Sequence, residues 1–236
     1  MNTQKVAVIT GASQGIGASL VTAYQDLGYA VVATSRSIAE ASGGNLVTVA
    51  GDIAQPTTAE RVVEAAIERF GRIDTLVNNA GIFIAKPFAE YTADDYAAMK
   101  ATNLDGFFHL TQRVVQRLLE QGEGGHIVSI TTTFVEHPNS SVPAVLASLT
   151  KGGIAAATRS LSVELAGAGI RVNAVSPGII KTPLHPEETH EFLAALHPVG
   201  TMGEISDVAR GVVYLEQSPF VTGEFLHIDG GQIAGH

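Results

Sequence analysis

The segment Thr10-Gly11-Ala12-Ser13-Gln14-Gly15-Ile16-Gly17 constrains this chain more than any other eight residues. It follows Val6-Ala7-Val8-Ile9-Thr10, an uncharged run that reads as a buried strand. It opens residues 15–27, where apolar side chains recur at helical spacing, and Gly28 closes that helix. Three glycines at such a junction let the backbone turn tightly and approach a ligand closely. The helix N-terminus adds free N–H groups and the positive end of its dipole, which suit a pyrophosphate. A glycine-rich turn without a ligand has the same composition. Its place between the first strand and first helix of an alternating chain favours a dinucleotide.

That alternation runs to the C-terminus. Strands are predicted at residues 30–34, 46–49, 73–78, 126–130, 171–176 and 225–228. Helices are predicted at 57–70, 94–120 (bent near Gly106), 145–166 and 204–217. Strand–helix alternation with apolar strands implies a Rossmann-type, doubly wound parallel β-sheet of about seven strands, with helices on both faces. Ligands in such folds sit beyond the strand C-termini, so the loops there carry the candidate chemistry. No stretch reads as a linker, and residues 1–236 are read as a single domain.

Composition narrows the function classes. The chain has no cysteine, which excludes disulfides, thiolate metal sites and cysteine nucleophiles. A net charge of −9 without a basic run argues against nucleic acid as a partner. The N-terminus lacks a secretory apolar region, and no stretch reaches the ~20 apolar residues that cross a bilayer. The expectation is a cytoplasmic protein with no membrane partner.

The spacing Gly-x-x-x-Gly-x-Gly after Thr10 resembles the short-chain dehydrogenase/reductase family, and the resemblance covers nearly the whole chain. Asn78-Asn79-Ala80-Gly81, Asn103 in Thr-Asn-Leu-Asp-Gly, Pro177-Gly178, Val221-Thr222-Gly223 and Asp229-Gly230-Gly231 are all similar to family motifs. The resemblance implies a cofactor site made from Thr10, Gly11, Ser13, Gln14, Gly15, Ile16 and Gly17. It adds Asn79, Ala80 and Gly81, then Pro177, Gly178, Ile180 and Thr182 at the nicotinamide, and Asp52 and Ile53 flanking the adenine. Catalysis would involve Asn103 and Lys151, and Lys151 would also bind the nicotinamide ribose.

The second strand ends Thr34-Ser35-Arg36, without the acid that holds a ribose 2′-OH in NAD-selective sites. Arg36 suits a 2′-phosphate, and Ser13 and Ser35 add hydroxyls. NADP(H) is therefore the expected cofactor, with NAD(H) as the second option; a solvated surface arginine is the alternative for Arg36.

The family's tyrosine lies four residues before its lysine. Here that position is Ala147, and no tyrosine occurs between Tyr96 and Tyr214. The family's serine matches Thr132, which keeps a hydroxyl, although the segment from Thr132 to Lys151 is about two residues longer than usual. Three explanations stay open. The protein binds a dinucleotide without standard carbonyl chemistry, as a silent regulator or scaffold. Another group supplies the proton: His137, in the loop after the fifth strand, or Lys151 through a water if burial lowers its pKa. Or the substrate carries its own activating group. The favoured reading is an NADP(H)-dependent oxidoreductase acting on a carbonyl or alcohol.

Residues 179–203 are expected to form a substrate lid. Its His185, His190 and His197 lack the spacing of a metal site, and no metal is expected. Phe83, Phe88 and Phe134 are candidates for the pocket wall. The resemblance also implies a dimer or homotetramer through the helices at 94–120 and 145–166, where Gly152, Ala155, Ala156 and Ala157 allow close approach.

Overall fold

The computed structural model describes residues 4–235; Met1, Asn2 and Thr3, part of the N-terminal reading above, lie outside them. The strands are β1 (Val6–Thr10), β2 (Ala30–Ser35), β3 (Ser42–Gly43), β4 (Leu46–Ala50), β5 (Thr75–Asn78), β6 (Gly125–Ile130), β7 (Ile170–Pro177) and β8 (Phe225–Ile228). They form one sheet of eight strands in the order β3-β4-β2-β1-β5-β6-β7-β8. All neighbours run parallel except β3 and β4. The sequence reading counted about seven strands. The eighth is β3, two exposed residues before the Gly44 turn, too short to show a periodic pattern.

The helices are α1 (Gly15–Asp26), α2 (Pro56–Phe70), α3 (Ala93–Met99), α4 (Gly106–Gln121), α5 (Val145–Glu164), α6 (His190–Ala194) and α7 (Ile205–Glu216). Side chains alternate across each strand. Val6, Val8, Val32 and Leu76 therefore meet α2 and α4 through Val62, Ala66, Leu110 and Val114. Ala7, Ile9, Val31 and Val77 meet α1 and α7 on the other face through Leu20, Tyr24, Val208 and Val212. The single helix expected over 94–120 is two helices joined by a wide π-turn, Lys100–Asp105. The turn carries Asn103, whose buried amide is bonded to the backbone of Ile82 instead of facing along a regular helix.

The strand N-termini hold a buried polar cluster. The Glu216 carboxylate, at the end of α7, accepts hydrogen bonds from Tyr24 (3.0 Å), Tyr29 (2.9 Å) and Thr75 (3.0 Å), and from His126 Nδ1 (2.9 Å). Asn173 Nδ2 donates to His126 Nε2, so the ring proton is on Nδ1, facing Glu216. Burial alone would raise the Glu216 pKa, but the bonds from His126 and the two tyrosines bring it down to about 2. Arg171 donates to the carbonyls of Leu215 and Glu216 and closes the α7 C-terminus.

Candidate active site

At the opposite end of the sheet, the chain diverges between β1 and its neighbours β2 and β5, and a cleft of about 330 Å³ opens there. The glycine loop forms its floor. A Cβ on Gly17 would stand 2.1 Å from the Gly11 carbonyl oxygen, so the first helical turn packs on the loop only without a side chain. Thr10 Oγ1 accepts from the N–H groups of Asn79 (3.0 Å) and Ala80 (2.9 Å). Asn79 Nδ2 returns bonds to the carbonyls of Thr10 and Gly11. These bonds lock the loop after β1 to the loop after β5 and fix the depth of the cleft.

Most residues expected at a cofactor line this cleft: Gly11, Ser13, Gln14, Gly15, Ile16 and Gly17 from the glycine loop, Ser35 and Arg36 from the end of β2. Asp52, Ile53, Asn79, Ala80, Gly81 and Thr182 also line it. Thr10 lies beneath it, buried. Ser35 Oγ is buried without a hydrogen-bond partner among the described residues, and Arg36 beside it is exposed. Asp52, the one acid among the described residues of the wall, accepts from the Ala54 N–H.

Lys151 and Asn103 both approach Gly81 of the cleft wall. A Cβ on Gly81 would lie 3.1 Å from Lys151 Nζ and 3.3 Å from Asn103 Oδ1. Asn103 Nδ2 also donates to Thr150 Oγ1, a partner that the sequence reading missed because a buried threonine has no periodic signature. Lys151 Nζ donates to the Ile130 carbonyl at 2.7 Å, and burial lowers its pKa to about 8.

Ala147 stands one turn before Lys151 and is 2% exposed. It belongs to an apolar cluster with Met99, Phe134, Ala144 and Leu146, against which Phe83 and Ile84 pack. The Phe83 and Phe134 rings stack with centroids 5.8 Å apart. Phe88, also expected at the wall, is instead exposed on the surface. Thr132 caps the short turn Thr133–Val135 by accepting from the Phe134 N–H. His137 follows that turn, its N–H donating to the Thr133 carbonyl. Among the described residues, no hydrogen bond joins Thr132 or His137 to Lys151.

Pro177 is the last residue of β7, and Gly178 and Ile180 follow it. Gly178 and Ile180 line a second cavity of about 670 Å³, bounded by α7, β8 and the segment 197–203. That segment buries His197, which the sequence reading grouped with the other lid histidines. Ala155, expected to face a second subunit, is instead buried against Ala174 of β7 and Phe225 of β8.

The sequence matches the family described as enoyl-(acyl carrier protein) reductase over residues 11–232. An uncharacterized oxidoreductase of Methylorubrum extorquens is 38% identical over 96% of this chain and 97% of its own length. The 3-oxoacyl-[acyl-carrier-protein] reductase of Thermotoga maritima is 34% identical over 97% of this chain and 98% of its own. Among solved structures, ElxO with NADP bound superposes with a TM-score of 0.91 at 29% identity, covering 98% of this chain and 100% of that one. A tyrosine-to-phenylalanine variant of ElxO with NADPH bound gives 0.90 at 29% identity, with the same coverage. The 3-ketoacyl-(acyl-carrier-protein) reductase of Brucella melitensis complexed with NADH gives 0.89 at 30% identity, covering 97% and 98%.

Proposed function

The chain belongs to the short-chain dehydrogenase/reductase family, and we propose that it is an NADP(H)-dependent oxidoreductase for a small carbonyl or alcohol, working without the family's tyrosine. Ser35 Oγ carries the cofactor choice. A buried hydroxyl with no partner among the described residues, beside an exposed guanidinium and with no acid at the strand end, fits a 2′-phosphate. The neighbours add support, since ElxO holds NADP and NADPH and the Brucella reductase holds NADH. NAD(H) is thus the second cofactor to test.

When bound, the dinucleotide supplies or takes up the hydride. The residues of the chain position it and handle the proton. The glycine loop would hold the pyrophosphate, and Thr182 the nicotinamide amide. Asn103 and Lys151 would orient the nicotinamide ribose at Gly81. Ala147 has only a methyl group, in apolar contact, where a phenol would serve as acid. With its pKa lowered to about 8, Lys151 still carries a proton near neutral pH and is poised to release it. It is the proposed proton source, through a water. Thr132 would orient the substrate oxygen, and His137 is the competing acid. Losing a positioned acid costs about 10²–10⁴-fold in rate, so slow turnover of simple ketones is expected.

The apolar packing of Ala147 also favours a second reading, a dinucleotide-binding regulator or scaffold without turnover. Titration with NADPH and NADH, followed by a panel of ketones, aldehydes and alcohols, separates the two. Binding without turnover across the panel selects the regulator. Standard carbonyl reduction gained only in Ala147→Tyr excludes the usual route in the native protein, and unchanged turnover in His137→Ala removes that histidine.

We further propose that residues 179–203 act as the substrate lid and that two or four copies associate through α4 and α5. Those helices leave Phe108, Leu119, Leu149 and Val163 exposed. A monomer mass in light scattering would overturn the assembly. No described helix is long and apolar enough to cross a membrane.

A further inference from the structure

His197 is 3% exposed in the segment after α6, and its Nε2 lies 2.9 Å from the Ile179 N–H. An amide only donates, so Nε2 is the unprotonated nitrogen and the ring proton sits on Nδ1. Among the described residues, Nδ1 has no partner. The ring is wedged in place: a Cβ on Gly178 would stand 2.7 Å from its Nε2, and one on Gly230 3.3 Å from its Cβ. It therefore joins the backbone after β7 to the turn after β8. Ile179 is held on its other side by Gly203, whose N–H donates to the Ile179 carbonyl at 3.0 Å.

We propose that His197 is a positioning residue that fixes residues 178–182 for the nicotinamide, and that it does so only while its ring is neutral. This rests on the cofactor reading above. Ile179 is 8% exposed, and its N–H has His197 as its acceptor. A protonated ring donates from both nitrogens and cannot accept that bond. The surrounding acids are already engaged. Asp229 accepts from the N–H groups of Gly231 and Ile233. Asp207 accepts from the Glu204 N–H and pairs with Arg210, Glu204 pairs with Lys181, and His227 faces Glu136. Among the described residues, none of these carboxylates bonds the His197 ring, and the 670 Å³ cavity beside the ring gives it room to leave.

The test measures NADP⁺ dissociation constants by calorimetry at pH 8 and pH 5 for the wild type, His197→Gln and His197→Leu. Amide exchange at Ile179 is followed without nucleotide. Glutamine offers a neutral acceptor at both pH values. The wild type is expected to weaken about tenfold more than His197→Gln between pH 8 and pH 5. The Leu variant is expected to bind weakly at both pH values, with fast exchange at Ile179, as in the wild type at pH 5. Equal pH dependence in the wild type and Gln variant, with Ile179 protected at pH 5, overturns the inference. If the wild type binds neither NADP⁺ nor NAD⁺ at pH 8, the cofactor reading falls and this inference falls with it.

Discussion

At the N-terminal ends of the strands, Glu216 receives four hydrogen bonds, from α1, from Tyr29 just before β2, from β5 and from β6. At the C-terminal ends, Ser35 Oγ, Ser129 Oγ and Ser176 Oγ are buried with no partner among the described residues. Both regions belong to one sheet and are lined by polar side chains. In the first, the polar groups satisfy one another, as a buried network must if it is to stabilise the fold. In the second, donors are left over, as expected where a ligand completes the set. A buried polar group is thus informative through its partners, more than through its presence.

The largest expected effect tests the closed end. Glu216→Ala strands two phenols, a threonine hydroxyl and the His126 N–H, and should cost about 3–5 kcal/mol in urea unfolding. Dinucleotide affinity measured below the unfolding transition should not change. The acid limb follows from the same residue. The folded Glu216 pKa of about 2 lies below the ordinary 4.5, so its contribution is fully present above pH 4.5 and is lost as pH falls toward 2. That shift corresponds to about 3 kcal/mol. An acid limb of equal depth in the Ala variant would disprove the assignment.

At the open end, Gly17→Ala should have the next largest effect. Its Cβ would overlap the Gly11 carbonyl, and loop and helix must separate. NADP(H) affinity should drop by more than about a hundredfold, since the pyrophosphate would lose the helix N-terminus and the close backbone approach together. Arg36→Ala comes third. It should weaken NADP(H) about ten- to a hundredfold, the range of a charge-assisted contact, and leave NAD(H) unaffected. Equal losses for the two cofactors would show that Arg36 does not read the 2′-phosphate.

These two ends were not equally legible in the sequence. The glycine loop, Asn78-Asn79-Ala80-Gly81 and Lys151 are local signals, because a phosphate turn and a strand end are specified by neighbouring residues. Most cofactor candidates read that way do line one cleft. The Glu216 cluster was invisible, because Tyr24, Thr75, His126 and Glu216 lie up to 192 positions apart and meet only when the sheet forms. The partner of His197 was hidden for the same reason, 18 residues away across a loop. The π-turn at Lys100–Asp105 was read as a bend at Gly106, since helical periodicity hardly registers one widened turn.

The fourth expectation concerns Lys151. Burial lowers its pKa to about 8, so the ammonium is present below that pH and is lost above it. If it supplies the proton, reductive turnover should fall about tenfold per pH unit above 8. A rate that stays level to pH 10 would remove Lys151 from that role.

The smallest effect calibrates the glycine argument. Gly28, after α1, has φ +83°, and a Cβ there meets nothing within 4 Å. Gly28→Ala therefore isolates the conformational cost of a left-handed residue, about 1 kcal/mol of stability. Gly28 does not line the cleft, so NADP(H) affinity should be unchanged. Gly17 presents the opposite case, with no positive φ and a steric wall at 2.1 Å. If Gly28→Ala weakened dinucleotide binding as much as Gly17→Ala, general loosening of α1 would explain both. The close approach at Gly11 would then lose its claim to shape the site.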